Sequence, residues 1–86
     1  MADRLRLILL TPEQHVVDQE VLEVTAPGAF GQIGVLPDHA ALVTALEPGT
    51  VSYKTANGVS SFDIGGGFAE IKDNVMTVLA TSSGGA

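Results

Sequence analysis

Two histidines, His15 and His39, are the only imidazoles in this 86-residue chain, and it has no cysteine. Imidazole is the usual acid–base group near neutral pH and a common ligand for zinc. A metal centre needs roughly three or four convergent ligands, and neither histidine stands at a ligand spacing. His15 reads as an exposed strand residue. His39, between Pro37-Asp38 and Ala40, reads as a residue that anchors a loop or an interface rather than as a catalyst. The absence of cysteine removes disulfides, thiolate catalysis and cysteine-based zinc sites together.

Three other groupings invite chemistry. Asp18, Glu20 and Glu23 fall near one turn, and two carboxylates can form an acid–base pair. Flanking a strand, they read instead as solvated surface or edge-strand protection. Gly65-Gly66-Gly67 suggests a phosphate loop, but such a loop must lead into a helix N-terminus. Here it leads into Phe68-Ala69-Glu70-Ile71, an alternating strand, so the glycines read as a bulge or tight bend. Ser60-Ser61 lacks any Gly-x-Ser-x-Gly context. No enzyme, metal site or cofactor site emerges.

The elements that would position these residues are strands. Apolar residues recur every second position in Leu5-Leu7-Leu9, Leu22-Val24-Ala26, Val51-Tyr53 and Phe62-Ile64. Val75 to Ala80 is apolar on both faces except at Thr77, which suits a central strand. Turn signals separate the runs at Thr11-Pro12, Pro27-Gly28, Pro37-Asp38, Glu47-Pro48-Gly49, Asn57-Gly58, Gly65-Gly66-Gly67 and Asp73-Asn74. Asn57-Gly58 between two alternating runs predicts a hairpin. Short strands with turns about every eight to twelve residues predict an all-β sandwich or barrel. Residues 1–80 are expected to form one domain, and 81–86 (TSSGGA) a flexible tail.

Charge and composition narrow the partners. The formal net charge is −6, with only Arg4, Arg6, Lys54 and Lys72 basic. Nucleic acid requires clustered cations and is excluded, and the same scarcity of cations disfavours an anionic lipid surface. Aromatic residues make up 5 %, so aliphatic side chains must build the core. The apolar run Leu7 to Leu10 is too short for a signal peptide or a membrane span. A cytosolic or equivalent compartment is expected, with any membrane role exercised through another protein.

The stretch "PGAFGQIGVLPDHAALVTALEPG", Pro27 to Gly49, is largely apolar yet cut up by Gly and Pro. As a loop excursion from a sandwich, it cannot bury Phe30, Ile33, Val35 and Leu36 all at once. Part of it is expected to face a partner, Ile33 and Val35 in particular. Composition and spacing thus define a small all-β interaction module.

The same stretch carries a resemblance. "LTPEQHVVDQEVLEVTAPG", "GQIGVLPDHAALVTALEPGTV" and "GGFAEIKDNVMTVLA" follow one another in order from about Leu5 to Ala80. Together they resemble the N-terminal domain of the epsilon subunit of F-type ATP synthases. The resemblance implies a flattened β-sandwich of about ten short, mostly antiparallel strands. It implies a non-catalytic rotor subunit without a cofactor, bound to the gamma subunit on one side and to the membrane c-ring on the other. Its place would be peripheral to a membrane, by default on the cytoplasmic face of a bacterial inner membrane. The thylakoid stroma and mitochondrial matrix sides are the alternatives.

Residue by residue, Ala29, Phe30, Gly31, Gln32 and Ile33 match the family loop that approaches the c-ring. His39 with Ala40, Ala41, Leu42 and Val43 matches the family segment at the junction of gamma and c-ring, where these residues would contact gamma. Thr11 matches a first-turn position near gamma. Three residues depart from the pattern. Gln32 stands where the family usually has an acid, Asp38 replaces the glycine of Pro-Gly-His, and Ala41 replaces a proline. If position 38 needs φ > 0, Asp tolerates it better than most side chains. Most relatives continue into two C-terminal helices that restrain hydrolysis and in some bind ATP. Without those helices in this sequence, ATP binding is not expected. An independent β-sandwich module for a sugar or peptide is the alternative. It would want a cluster of aromatics, and Phe30, Tyr53, Phe62 and Phe68 are scattered. A small hydrolase would want a nucleophile beside a base, which no run of the sequence offers.

Overall fold

Among the described residues the alternating pattern is realised as eight β-strands. The computed structural model describes residues 2–13, 15–81 and, for the backbone, 83–85. The strands are β1 (Leu5–Leu10), β2 (His15–Val21), β3 (Glu23–Gly28), β4 (Gly31–Val35), β5 (Leu42–Thr55), β6 (Gly58–Lys72), β7 (Val75–Ala80) and β8 (Ser83–Gly85). They form one hydrogen-bonded sheet in the order β2-β1-β7-β6-β5-β3-β4, with β8 added on β6. Among the described residues every ladder is antiparallel except β1 with β7.

This sheet is folded over on itself. The two long strands, β5 and β6, run through both layers. Leu42 to Leu46 pairs with Ile71 to Gly67, beside β7, β1 and β2. Pro48 to Thr55 pairs with Gly65 to Gly58, beside β3 and β4. The layers meet again where the Leu22 N–H donates to the Lys54 carbonyl at 2.7 Å. The overall extents, 33 × 27 × 21 Å, are those of a flattened body. Its thin dimension fits two sheets stacked about 10 Å apart.

Buried side chains change parity at the bend. In β5 the buried residues are Leu46, then Val51 and Tyr53. In β6 they are Ile64, then Ala69 and Ile71. Both strands switch faces at the same level, so their pairing continues in constant register from Leu42↔Ile71 to Thr55↔Gly58. Glu47-Pro48-Gly49 and Gly65-Gly66-Gly67, read from sequence as separators, are therefore bends inside continuous strands. The described residues form eight strands rather than about ten, because β5 and β6 each pass through both layers as one continuous strand.

The core draws on both layers. Leu5, Leu7 and Leu9 of β1 pack with Val24, Val35, Val51, Ile71, Met76 and Val78, all nearly inaccessible to water. Tyr53 stacks on Phe62 with ring centroids 5.8 Å apart. β7 lies between β1 and β6, as its apolar pattern predicts. Where the sequence suggests a flexible tail over 81–86, the backbone of Ser83–Gly85 pairs with Phe62 to Ile64 of β6. Ser82 and Ala86 of that tail lie outside the described residues.

Candidate functional site

The segment Pro27 to Gly49 is not one loop. Its first half is a hairpin, β3 to β4, turned by Ala29 and Phe30. Its hinge is narrow, since a Cβ on Gly28 would lie 2.6 Å from the Gly31 carbonyl oxygen. The Ala29 N–H donates to the Ala45 carbonyl at 3.0 Å, which ties the tip to β5. Phe30 at the tip is 102 % exposed, so its ring touches nothing that shields it. Gly31 and Gln32 are exposed beside it, and Ile33 is half-buried against the core.

Val35 corrects the expectation that it faces a partner. It is fully buried, while Leu36, the next residue, is 57 % exposed. Alternation along β4 places Val35 on the core face opposite Val24 and sends Leu36 outward.

The second half is a turn leading into β5. Asp38 has φ 64°, the left-handed conformation its glycine-like position suggests. The His39 N–H donates to the Leu36 carbonyl at 3.2 Å, and His39 Nδ1 donates to its neighbour Ala40's carbonyl at 2.7 Å. Ala40 and Ala41 are exposed, Leu42 packs against the core, and Val43 turns outward. The hairpin tip and His39 thus have separate anchors, the tip on Ala45 and the His39 turn on Asn74 through Asp38.

Thr11 and Val43, far apart in sequence, flank one apolar face. Phe68 of β6 is opposite both Ala45 of β5 and Leu79 of β7, and Leu79 is beside Leu10 of β1. Val43, Phe68 and Leu79 are 70 %, 59 % and 51 % exposed. Leu10, Thr11, Pro12 and Thr81 line a shallow groove with Phe68 and Leu79, and Val43 borders the same pair on the other side. Sequence reading missed Phe68 and Leu79 as surface residues. The signal was present in Val75 to Ala80, which is apolar on both faces though this chain covers only one.

The polar groupings do not converge. Asp18 accepts a hydrogen bond from Arg6 Nε at 2.8 Å, and this contact holds its carboxyl below the usual aspartate range. Glu20 is directly across the ladder from Arg6, and Glu23 from Lys54. Each acid is thus near a base rather than another acid. His15 is exposed at the start of β2. No cluster of His, Cys, Asp and Glu able to hold a metal ion occurs among the described residues.

The folded-over sheet thus leaves apolar groups exposed at a hairpin tip and across one face. The chain belongs to the ATP synthase delta/epsilon chain family, as its β-sandwich domain, with the family model matching residues 4–83. It is 41 % identical over 83 residues to the ATP synthase epsilon chain of Carboxydothermus hydrogenoformans, covering 96 % of this chain and 62 % of that one. It is 39 % identical over 79 residues to the chloroplastic ATP synthase epsilon chain of Cyanidioschyzon merolae, covering 92 % and 60 %. The chain therefore spans about three-fifths of these relatives' length. The fold matches a chain of the Euglena gracilis mitochondrial ATP synthase, in a structure of OSCP, F1 and c-ring, with TM-score 0.92 and 24 % identity. That match covers 99 % of this chain and 55 % of the other.

Proposed function

We propose that this domain is a non-catalytic part of the central stalk of a proton-translocating F-type ATP synthase, where it joins the gamma subunit to the c-ring. The apolar face around Phe68 and Leu79 carries this reading, because it gathers Thr11 and Val43 into one patch. Gamma is assigned to that face together with His39, Ala40, Ala41 and Leu42. The c-ring is assigned to Ala29, Phe30, Gly31, Gln32 and Ile33 at the hairpin tip, with His39 beside the junction. The domain is peripheral to the membrane through the complex, on the cytoplasmic face in a bacterium.

The role is mechanical. Ring rotation reaches the hairpin tip and leaves through the gamma-facing layer. Between them the path is continuous hydrogen-bonded sheet and close-packed core, which transmits strain rather than absorbing it. Gln32 offers the ring a neutral contact where a carboxylate would offer a charge-assisted one, weaker by about half.

Leu79→Asp and Phe30→Asp separate the two faces. Leu79→Asp is expected to weaken binding to gamma by roughly 2 kcal/mol, the scale of an interface hot spot. Phe30→Asp is expected to spare gamma binding and weaken retention of the gamma complex on the ring. Both variants are expected to melt within a few degrees of the parent, because both side chains are exposed. Size-exclusion chromatography with gamma, with and without the ring, reads the outcome. Unchanged gamma binding by Leu79→Asp, or a melting loss that alone accounts for the weakening, would overturn the assignment.

A further inference from the structure

The turn that carries His39 is fastened to a residue 36 positions beyond Asp38. Asn74 lies in the two-residue connection from β6 to β7, with φ 64°. Its side-chain oxygen accepts a hydrogen bond from the Asp38 N–H at 3.0 Å. Its side-chain amide donates to the Arg4 carbonyl at 2.5 Å. Its backbone carbonyl accepts from the Arg6 N–H at 3.1 Å. Asp38 extends the set, its carboxylate accepting from the Ala2 N–H at 2.9 Å.

Asn74 therefore joins the entry to β1, the β6–β7 turn and the 36–41 segment. The turn itself does not demand this. Glycine adopts positive φ more readily than asparagine, so conformation alone would favour glycine at position 74. The asparagine amide adds an acceptor oxygen and an NH2 donor group, and each makes a hydrogen bond here. The Asp38 N–H belongs to the peptide that joins Pro37 to Asp38, so holding it fixes the turn one residue before His39, whose own N–H is held by the Leu36 carbonyl.

We propose that Asn74 is the positioning residue of the 36–41 segment, fixing the conformation in which His39 is presented to the stalk and ring. The ring-binding consequence rests on the function proposed above; the fastening of the segment does not.

Asn74→Gly tests this in the present chain, because glycine keeps the turn and deletes only the side-chain bridge. NMR with amide hydrogen exchange is expected to show Lys72 and Val75 protected as before. The Asp38 and His39 amide signals should shift, and Asp38 exchange should rise roughly threefold to tenfold, the effect of losing one hydrogen bond. Affinity of the gamma complex for the isolated c-ring should fall severalfold. Asn74→Asp retains an acceptor for the Asp38 N–H and is expected to restore part of the lost protection. Unchanged Asp38 exchange in Asn74→Gly overturns the proposal, whatever the ring affinity does. Faster exchange with unchanged ring affinity supports the fastening and overturns the placement of His39 at the ring. If the turn itself opens in Asn74→Gly, Asn74→Asp decides: retained Asp38 protection supports the proposal and its loss overturns it.

Discussion

At Gly67 the neighbouring strand's backbone occupies the space where any other residue would carry a methyl group. A Cβ there would collide with the Leu79 carbonyl, and the backbone holds φ 149°. Gly67→Ala is therefore expected to lose roughly 2 kcal/mol or more, read as a lower urea midpoint. Gly66-Gly67 also frees the Gly66 carbonyl to accept from the Thr81 N–H at 3.0 Å, which ties the exit of β7 to the bend. At the opposite edge, Asp18 gives a pH-dependent contribution of definite sign. Its folded value is depressed below 3.8 by the hydrogen bond and charge of Arg6. The stabilisation is complete above the unfolded value and is lost as pH falls through the folded one. Asp18→Asn is expected to lower the melting temperature slightly at neutral pH. That difference should vanish in melting curves taken progressively below pH 3.8. The effect is small because both partners are largely exposed, with side-chain accessibilities of 55 % and 39 %.

At the scale of elements, two connections show how turn chemistry selects backbone geometry. Asp73 and Asn74 both have positive φ, the two-residue hairpin turn suited to right-twisted strands. In the β5–β6 hairpin, Ala56 and Asn57 make the turn and positive φ falls only on Gly58, at 129°. Thr55 caps this turn, its hydroxyl accepting from the Asn57 N–H at 3.1 Å. Pro27 interrupts the β3–β5 ladder between Thr25 and Gly28, having no N–H to donate. Its ring packs where a Cβ on Gly49 would come within 3.1 Å. The β3–β4 hairpin supplies the sharpest contrast between core and surface. Val35→Asp would bury an unpaired charge, and the cost approaches the whole stability of a small domain, about 5–15 kcal/mol. It is expected to be unfolded by circular dichroism. Leu36→Asp, one residue on, is expected to change stability by less than about 0.5 kcal/mol.

Those elements also mark how far the sequence was legible. Strands with one buried face were readable because alternation is dictated by the pleat: Leu5-Leu7-Leu9 and Val51-Tyr53 lie where their period places them. The bend was not, because a parity switch in the buried residues looks the same as a strand ending at Gly or Pro. Val35 was misjudged for a related reason: Gly31 and Gly34 hide a short strand inside what reads as a loop. The site was legible in part. Phe30 and Val43 are named through the family resemblance, and the residues alone point instead to Ile33 and Val35, of which Val35 is buried. The face built by Phe68 and Leu79 depends on which strands become neighbours. No local pattern states that β6 and β7 meet beside β1.

At the scale of the whole molecule, the two layers have unlike outer surfaces. The β7–β6–β5 surface carries Val43, Phe68 and Leu79. The other layer carries Ser and Thr at matching positions, including Thr25 opposite Ser52 and Ser52 opposite Ser61. Its Thr50 hydroxyl donates to Asp63 Oδ1 at 2.8 Å. The first surface is the more apolar of the two; the second exposes Val59, 70 % accessible, yet is otherwise mostly polar and stays wet away from the hairpin tip. The net charge of −6 keeps the wet side soluble and favours basic or polar partners.

The parallel pairing of β1 with β7 has a consequence for synthesis. Leu5 to Leu10 emerges from the ribosome early, yet one of its two neighbours, Val75 to Ala80, follows only after all of β2 to β6. Pairing of the emerging segment with β2 leaves the β7 side of β1 open through most of translation. The order of strands thus delays completion of the core until nearly the whole domain has left the exit tunnel. The nascent chain carries an unfinished apolar sheet edge for that interval, and such edges are targets for chaperones.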